Sequence, residues 1–215
     1  MTFQGWPEAA LDFYDDLEAD NSKAFWTAHK ETYAKEVLGP MTELVEELSP
    51  DFGEFKIFRP YRDVRFSADK TPYKTHIGAM IGTGYIQLSG KGLAAGNGMY
   101  QLAPDQLERY RQGVAHDVTG GELQRRLDTI AGSGIDVHGH DALKSAPRGY
   151  PADHPRIELL KYKGLIAWKE WPVESWLATP AAKERVREFL VTTRPLCEWL
   201  DTHVGSSAMP ESRRR

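Results

Sequence analysis

The sequence predicts an α+β fold: a single domain with an antiparallel meander sheet flanked by N-terminal and C-terminal helices. Three observations carry this. Up to residue 50 the apolar residues recur at helical spacing. Between 56 and 102 they alternate and are punctuated by glycine, and from Pro104 the helical spacing returns. One domain is expected over residues 1–205, followed by a basic tail over 206–215 that is expected to be disordered.

A first helix is expected from Trp6 to about Ala19, with Pro7 suited to a first helical position and Trp6, Ala10, Phe13, Tyr14 and Leu17 on one face. Asp20 or Asn21 can cap a second, whose stripe is Phe25, Trp26, His29, Tyr33 and Val37. Gly39-Pro40 is expected to stop it, and Met41, Leu44, Val45 and Leu48 mark a third helix ending at Ser49-Pro50. From Lys56 to Phe66 the pattern becomes strand-like, with Phe58, Val64 and Phe66 on one side and Arg59, Asp63 and Arg65 on the other. Arg62 falls on the apolar side. Segments 75–83, 85–89 and 93–102 read as further strands, separated by Gly82, Gly84, Gly90 and Gly92 as in a run of hairpins. Pro104 opens a helix bearing Leu107, Tyr110 and Val114, and Thr119-Gly-Gly-Glu122 reads as a capping box before Leu123, Leu127 and Ile130. Residues 135–155 look irregular. A short helix over 157–162, a strand over 165–171 and a helix opened by Thr179-Pro180 follow, the last kinked or broken at Pro195.

Bulk properties exclude several classes. One cysteine, Cys197, allows no disulfide within the chain, so an oxidising compartment is not required. The N-terminus has neither a basic stretch nor an apolar one of signal-peptide kind, and no apolar run approaches the ~18 residues of a membrane span. Cytoplasmic is therefore the expected location, and no membrane partner is expected. A formal net charge of −4 argues against a protein that coats nucleic acid.

Against that acidic background one block stands out. Residues 56–76 hold six basic side chains (Lys56, Arg59, Arg62, Arg65, Lys70, Lys74) and two acidic ones, Asp63 and Asp69, with Tyr61, Phe66 and Tyr73 interleaved. Two carboxylates cannot neutralise six cations locally, so the block reads as a site for something negative. The structural reading is a network in which Asp63 pairs with Arg62 or Arg65 while the Asp69-Lys-Thr-Pro turn pins the strand exit.

Three stretches join this block to a known family: Asn21-Ser-Lys-Ala-Phe-Trp26, Arg62-Asp-Val-Arg-Phe-Ser-Ala-Asp-Lys-Thr-Pro-Tyr-Lys74, and Gly96-Asn-Gly-Met-Tyr100 before Pro104. Leu143-Lys144, Pro147-Arg-Gly-Tyr150 and His154-Pro155 extend the match. On these residues the chain resembles the mainly bacterial family catalogued as domain of unknown function 2461, from about Phe13 to Leu200. It departs from the family pattern at Phe25-Trp26, where Trp followed by Phe is the commoner order. The resemblance implies a fold and a set of positions; it implies no reaction.

Other motifs weigh less. Gly96-Asn-Gly98 lacks the third glycine and the following helix of a phosphate loop, so its small face is read as a close approach of another element. Val137-His-Gly-His-Asp141 could offer alternate histidines to a metal, but it follows a helix end in a glycine-rich turn and is read as a surface loop, so no metal site is expected. No motif names a cofactor.

The favoured function is binding of an anionic small molecule bearing phosphate or carboxylate, with catalysis left open. Arg62 and Arg65 would clamp the anion, Lys70 and Lys74 would balance charge, and Tyr73 or Tyr100 would pack on a ring. A base, if one is used, would be Asp63 or His76; His76 is expected to be held neutral by nearby positive charge. Lys144 and Arg148, in a proline-braced loop over 144–155, would add charge if that loop closes over the block. The alternatives are a nucleic-acid-binding module that stacks bases on Tyr61, Phe66 and Tyr73, and a scaffold that docks an acidic protein partner.

Overall fold

The computed structural model describes residues 2–65 and 67–210. In chain order its elements are α1 (Glu8–Ala19), α2 (Lys23–Thr32), a π-helical segment (Tyr33–Leu38), α3 (Gly39–Phe52), β1 (Phe55–Ile57), β2 (His76–Ile81), β3 (Gly84–Ser89) and β4 (Gly92–Met99). There follow α4 (Pro104–Ala115), α5 (Asp117–Gly132), β5 (Asp136–His138), α6 (Ile157–Lys161), β6 (Leu165–Trp171), a 3₁₀ turn (Ser175–Ala178) and α7 (Ala181–His203). The fold class is α+β. The antiparallel sheet has the order β1-β2-β3-β4-β6-β5, a meander as far as β4, with β6 then placed between β4 and β5. No described helix is long and apolar enough to cross a membrane.

The chain divides into two compact units, Met1–Ala95 with Glu170–Phe189, and Gly96–Lys169 with Leu190–Arg215. In the first, β2 and β3 alternate by burial: Ile77, Ala79, Ile81, Ile86 and Leu88 are buried, while His76, Met80, Tyr85, Gln87 and Ser89 are half-exposed. The buried side of α3 is Met41, Leu44, Val45 and Leu48, the stripe its sequence predicts. In the second, the buried amide of Asn97 donates to Thr193 Oγ1 at 2.9 Å and accepts from Cys197 Sγ at 2.9 Å. A buried amide needs such partners. The close approach expected at the glycines of β4 is made by an indole: a Cβ on Gly96 would lie 2.7 Å from the Trp168 ring.

Several boundaries differ from expectation, each for a local reason. Gly39-Pro40 does not stop the helix. Gly39 donates to the Ala34 carbonyl, five residues back, and Pro40 sits in the first turn of α3, where its missing N–H costs nothing. The cap of α2 is Ser22, which accepts from Phe25 N at 3.1 Å, because Asn21 is engaged elsewhere. Thr119 is inside α5 rather than at its cap; its hydroxyl donates to the Gly113 carbonyl at 2.6 Å, and His116 takes the N-cap. Residues 136–138, expected to be irregular, pair with β6. Pro195 lies inside α7, which runs on to His203.

The largest correction concerns the strand expected from Lys56 to Phe66. Only Phe55–Ile57 is strand. Register explains this: Ile57 pairs with Ala79, so two residues on, the partner strand β2 has almost run out at its first residue, His76. Pro60 has no N–H with which to extend the ladder. Phe58 N to Gly78 O, at 2.9 Å, is the last bond of that edge.

Candidate functional site

What the expected strand becomes is a loop with a tied neck. Tyr61 and Tyr73 form an isolated antiparallel bridge, Arg62 N donates to Pro72 O at 2.9 Å, and Lys74 N donates to Pro60 O at 2.8 Å. The neck is held from outside by Asn21, whose side chain donates to Tyr73 O at 3.0 Å and accepts from Tyr73 N at 3.0 Å. Beside it the Trp26 indole stacks on the Tyr73 ring, centroids 4.4 Å apart at 8°. Two of the recognised stretches therefore meet. Tyr73 is buried with one ring face taken by Trp26, so the face expected to receive a ligand is used in packing. Phe25, the other half of the reversed Phe-Trp pair, stacks instead on His29 at 4.1 Å.

Inside the loop the charges satisfy one another. Arg65 grips Asp63 with two hydrogen bonds of 2.9 and 2.7 Å. Those bonds hold the Asp63 carboxyl down to about 2, which leaves it a poor base near neutral pH. Arg62 donates to Asp69 and to the Thr71 hydroxyl. Thr71 N also donates to Asp69 Oδ1 at 2.9 Å, and this bond leads the causes that bring Asp69 to about 2. Lys70 Nζ donates to the Val64 carbonyl at 3.0 Å. Arg62 does face a carboxylate, as expected, but its side chain is 29% exposed and Asp69 is 56% exposed, so the pair lies at the surface. The apolar register that would have buried it vanished with the strand. Phe66 lies outside the described residues.

Two other cations of the block, Lys56 and Lys74, gather on the half-exposed face of β1–β3. Cross-strand partners point the same way, and Lys56 pairs with Met80 while His76 pairs with Ser89; period two then puts Lys56, His76, Gln87 and Ser89 on one face. Phe58 anchors the group. Lys56 Nζ and Lys74 Nζ lie 5.9 and 5.4 Å from its ring centroid, within cation–π range, and its ring is 6.3 Å from that of Tyr85. Burial first, and then the Arg59 charge, push the Lys74 pKa down. Burial first, and then Lys74, lower that of His76, so its imidazole is neutral near pH 7. Sequence reasoning had the direction for His76 but gave the leading part to charge. Among the described residues no carboxylate pairs with Lys56, Arg59 or Lys74. Asp63 is within electrostatic reach of Arg59, but Arg65 holds both its oxygens.

Tyr85 completes the face. Its hydroxyl donates to Gln87 Oε1 at 3.0 Å, and its ring lies across β2, where a Cβ on Gly78 would be 2.4 Å from the hydroxyl oxygen. Gly78 is needed there for space. Neither Tyr85 nor Gln87 was singled out from the sequence; the alternation over 85–89, read against the register of β2, is the signal that marks them.

Tyr100, Lys144 and Arg148 belong to the second unit. Tyr100 is 54% exposed, stacks on His140 at 3.8 Å, and borders an open hollow of about 400 Å³ with Leu107 and the 2.6 Å Lys163–Asp141 ion pair. Lys144 and Arg148 are exposed on a loop braced by bonds from Tyr150 N to Pro147 O at 3.1 Å and from His154 N to Pro151 O at 3.2 Å. Among the described residues no three His, Cys, Asp or Glu gather in a way that could hold a metal ion. Of the segment 206–215, Ser207 and Ala208 hydrogen-bond Asp105 at 2.7 and 2.9 Å, and 211–215 lie outside the described residues.

Residues 9–199 match the model of the family described as conserved hypothetical protein (DUF2461). The chain belongs to that family. No curated protein matches it. Among solved structures it is similar to a conserved hypothetical protein from Pyrococcus furiosus, at 10% identity and a TM-score of 0.38, over 79% of this chain and 98% of that one.

Proposed function

We propose that the family member described here binds an anionic small molecule, bearing phosphate or carboxylate, on the face formed by Lys56, Arg59, Lys74 and His76. One observation carries the reading: Lys56 and Lys74 crowd around Phe58 with the Arg59 charge bearing on Lys74, and none of the three pairs with a carboxylate among the described residues, while the neighbouring arginines of the same block each have one. Crowded like charges cost folding energy, and a bound anion is what offsets it. Arg62, Arg65 and Lys70 serve the loop, so the clamp moves from Arg62 and Arg65 to Arg59 and Lys74. If a proton is taken from the ligand, neutral His76 takes it. Tyr73 stacks on Trp26, which weakens the nucleic-acid reading by removing one of its platforms.

Calorimetric titration with inorganic phosphate, pyrophosphate and citrate tests this. Binding by the wild type, loss in Arg59→Glu and Lys74→Glu, and retention in Arg65→Gln is the expected pattern. A shallow dependence on salt marks a small anion; a steep one marks a polyanion such as nucleic acid. Failure of all three probes to bind, or binding undiminished in an Arg59→Glu/Lys74→Glu double variant, overturns the reading.

A further inference from the structure

The hollow beside Tyr100 lies wholly within the second unit. Its lining comes from three stretches of chain, 100–102, 140–141 and 163, together with Leu107 of α4. Backbone bonds tie the three stretches together: Leu102 N donates to Lys163 O at 2.9 Å, and Lys163 N donates to Asp141 O at 2.8 Å. The chain also passes close at Gly164, where a Cβ would lie 2.1 Å from the Tyr100 carbonyl oxygen. The lining is therefore set in place by the fold. We propose that this hollow binds a nucleobase, with its ring stacked on the Tyr100–His140 pair and its polar edge against Lys163 and Asp141. The inference stands apart from the anion reading, since the ring it takes is uncharged.

Three observations support it. The Tyr100 and His140 rings are stacked with centroids 3.8 Å apart, yet Tyr100 remains 54% exposed. Two rings already held together give a planar ligand a surface to lie on at little ordering cost. The second observation is the ion pair. Lys163 Nζ and Asp141 Oδ2 are 2.6 Å apart with the side chains 42% and 53% exposed, so a ligand can reach both. The bond from Lys163 is the leading cause that holds the Asp141 carboxyl below its ordinary range, so near neutral pH it only accepts. The lysine ammonium only donates. A ligand that meets both must carry a donor and an acceptor side by side, which is the pattern on the edge of a nucleobase. Phosphates and carboxylates offer acceptors alone and are repelled by Asp141. The third observation is the rest of the lining. Leu102 and Leu107 are apolar, Gln101 is polar and uncharged, and about 400 Å³ admits a nucleoside.

Calorimetry with adenosine, N6,N6-dimethyladenosine and free ribose tests this. Adenosine should bind, and the dimethyl analogue, which keeps the ring but has lost its amino hydrogens, should bind at least about tenfold more weakly. Ribose should show no binding. Tyr100→Ala should weaken adenosine roughly tenfold or more, whereas Tyr100→Phe, which keeps the ring, should stay within about twofold of wild type. Asp141→Ala should bring the two nucleosides to within about twofold of each other. No binding of adenosine overturns the proposal, as does equal affinity of the wild type for both nucleosides. Adenosine affinity undiminished in Tyr100→Ala overturns it as well. So does its loss in the Arg59→Glu/Lys74→Glu double variant, which would put the base on the cationic face of the first unit.

Discussion

The loop between Tyr61 and Tyr73 and the face of β1–β3 draw their charges from one short block, yet use them in opposite ways. In the loop each arginine has its own carboxylate and Lys70 has a carbonyl, so the charges close a ring of chain upon itself. On the face, Lys56 and Lys74 share the Phe58 ring, and the Arg59 charge bears on Lys74. Charge counting over the block gives a single surplus of basic residues. Only the fold shows that the surplus sits on one side of the neck. The lesson is that an excess of positive charge becomes informative once the pairs that merely build structure have been removed from it.

The sharpest way to break the comparison is to remove what separates the two regions. Trp26 is 9% exposed and stacks on Tyr73 at the neck. Trp26→Ala should cost about 3–5 kcal/mol in urea denaturation, the usual range for emptying a buried aromatic site. Because the neck positions Lys74, phosphate protection should disappear with it. Retained protection at much reduced stability would show that the face is independent of the loop.

A smaller effect, of opposite sign, is expected at Lys74. Its lowered pKa means that the folded state disfavours the charged form, so stability rises as pH climbs through the lowered folded pKa towards the unfolded value. Lys74→Met should therefore raise the melting temperature of ligand-free protein, by roughly 2 °C, and abolish anion binding. Arg65→Gln, in the loop, should leave binding intact. A Lys74→Met variant that melts lower and still binds phosphate would reverse the roles assigned to the two regions.

These contrasts also mark what could be read in advance. The helical stripes of α1 and α3, the strand β6 and the α+β class follow from apolar spacing alone, because they are local patterns that burial enforces. The strand through Arg62 did not form, because strand length depends on a partner, and the partner's start at His76 is a long-range fact that no alternation in 56–66 contains. For the same reason Tyr73 looked available: Asn21 and Trp26 reach it from 52 and 47 positions away in the chain. His76 was legible since its main neighbour in charge, Lys74, is two residues away. Gln87 and Tyr85 were not, because their face is set by pairing with β2.

Acid separates the regions by pH. His76 has a folded pKa below its ordinary 6.5, so it contributes stability above that value and loses it as pH falls through the lowered folded pKa. The loop carboxylates, held at about 2, keep their contribution until far lower pH. Ligand-free protein should therefore lose part of its stability below pH 6.5, by less than about 1.4 kcal/mol per pH unit for one proton. Phosphate binding should strengthen over the same interval, since protonated His76 adds a positive charge to the face. His76→Gln should flatten both trends. If binding and stability instead fall together with pH in the wild type, His76 does not face the anion.

The smallest effect is expected at Tyr14, whose hydroxyl is buried without a hydrogen-bond partner among the described residues. Burial, and after it Tyr33 and Tyr85, raise its pKa strongly, so the group is neutral throughout the working range. A buried hydroxyl without a partner costs what it would have gained from water, and removing it at constant shape is neutral or favourable. Tyr14→Phe should thus melt at the same temperature as wild type or up to about 1 kcal/mol more stable. It keeps the ring that packs edge-on against Phe13 at 5.3 Å. The informative arm is ligand binding. Tyr14 lies within electrostatic reach of Tyr85, and Tyr85 sets the amide of Gln87. An unchanged affinity for phosphate in Tyr14→Phe would confine the site to the sheet face. A loss of affinity without loss of stability would extend the site inward to α1 and identify the unpaired hydroxyl as a donor to the ligand.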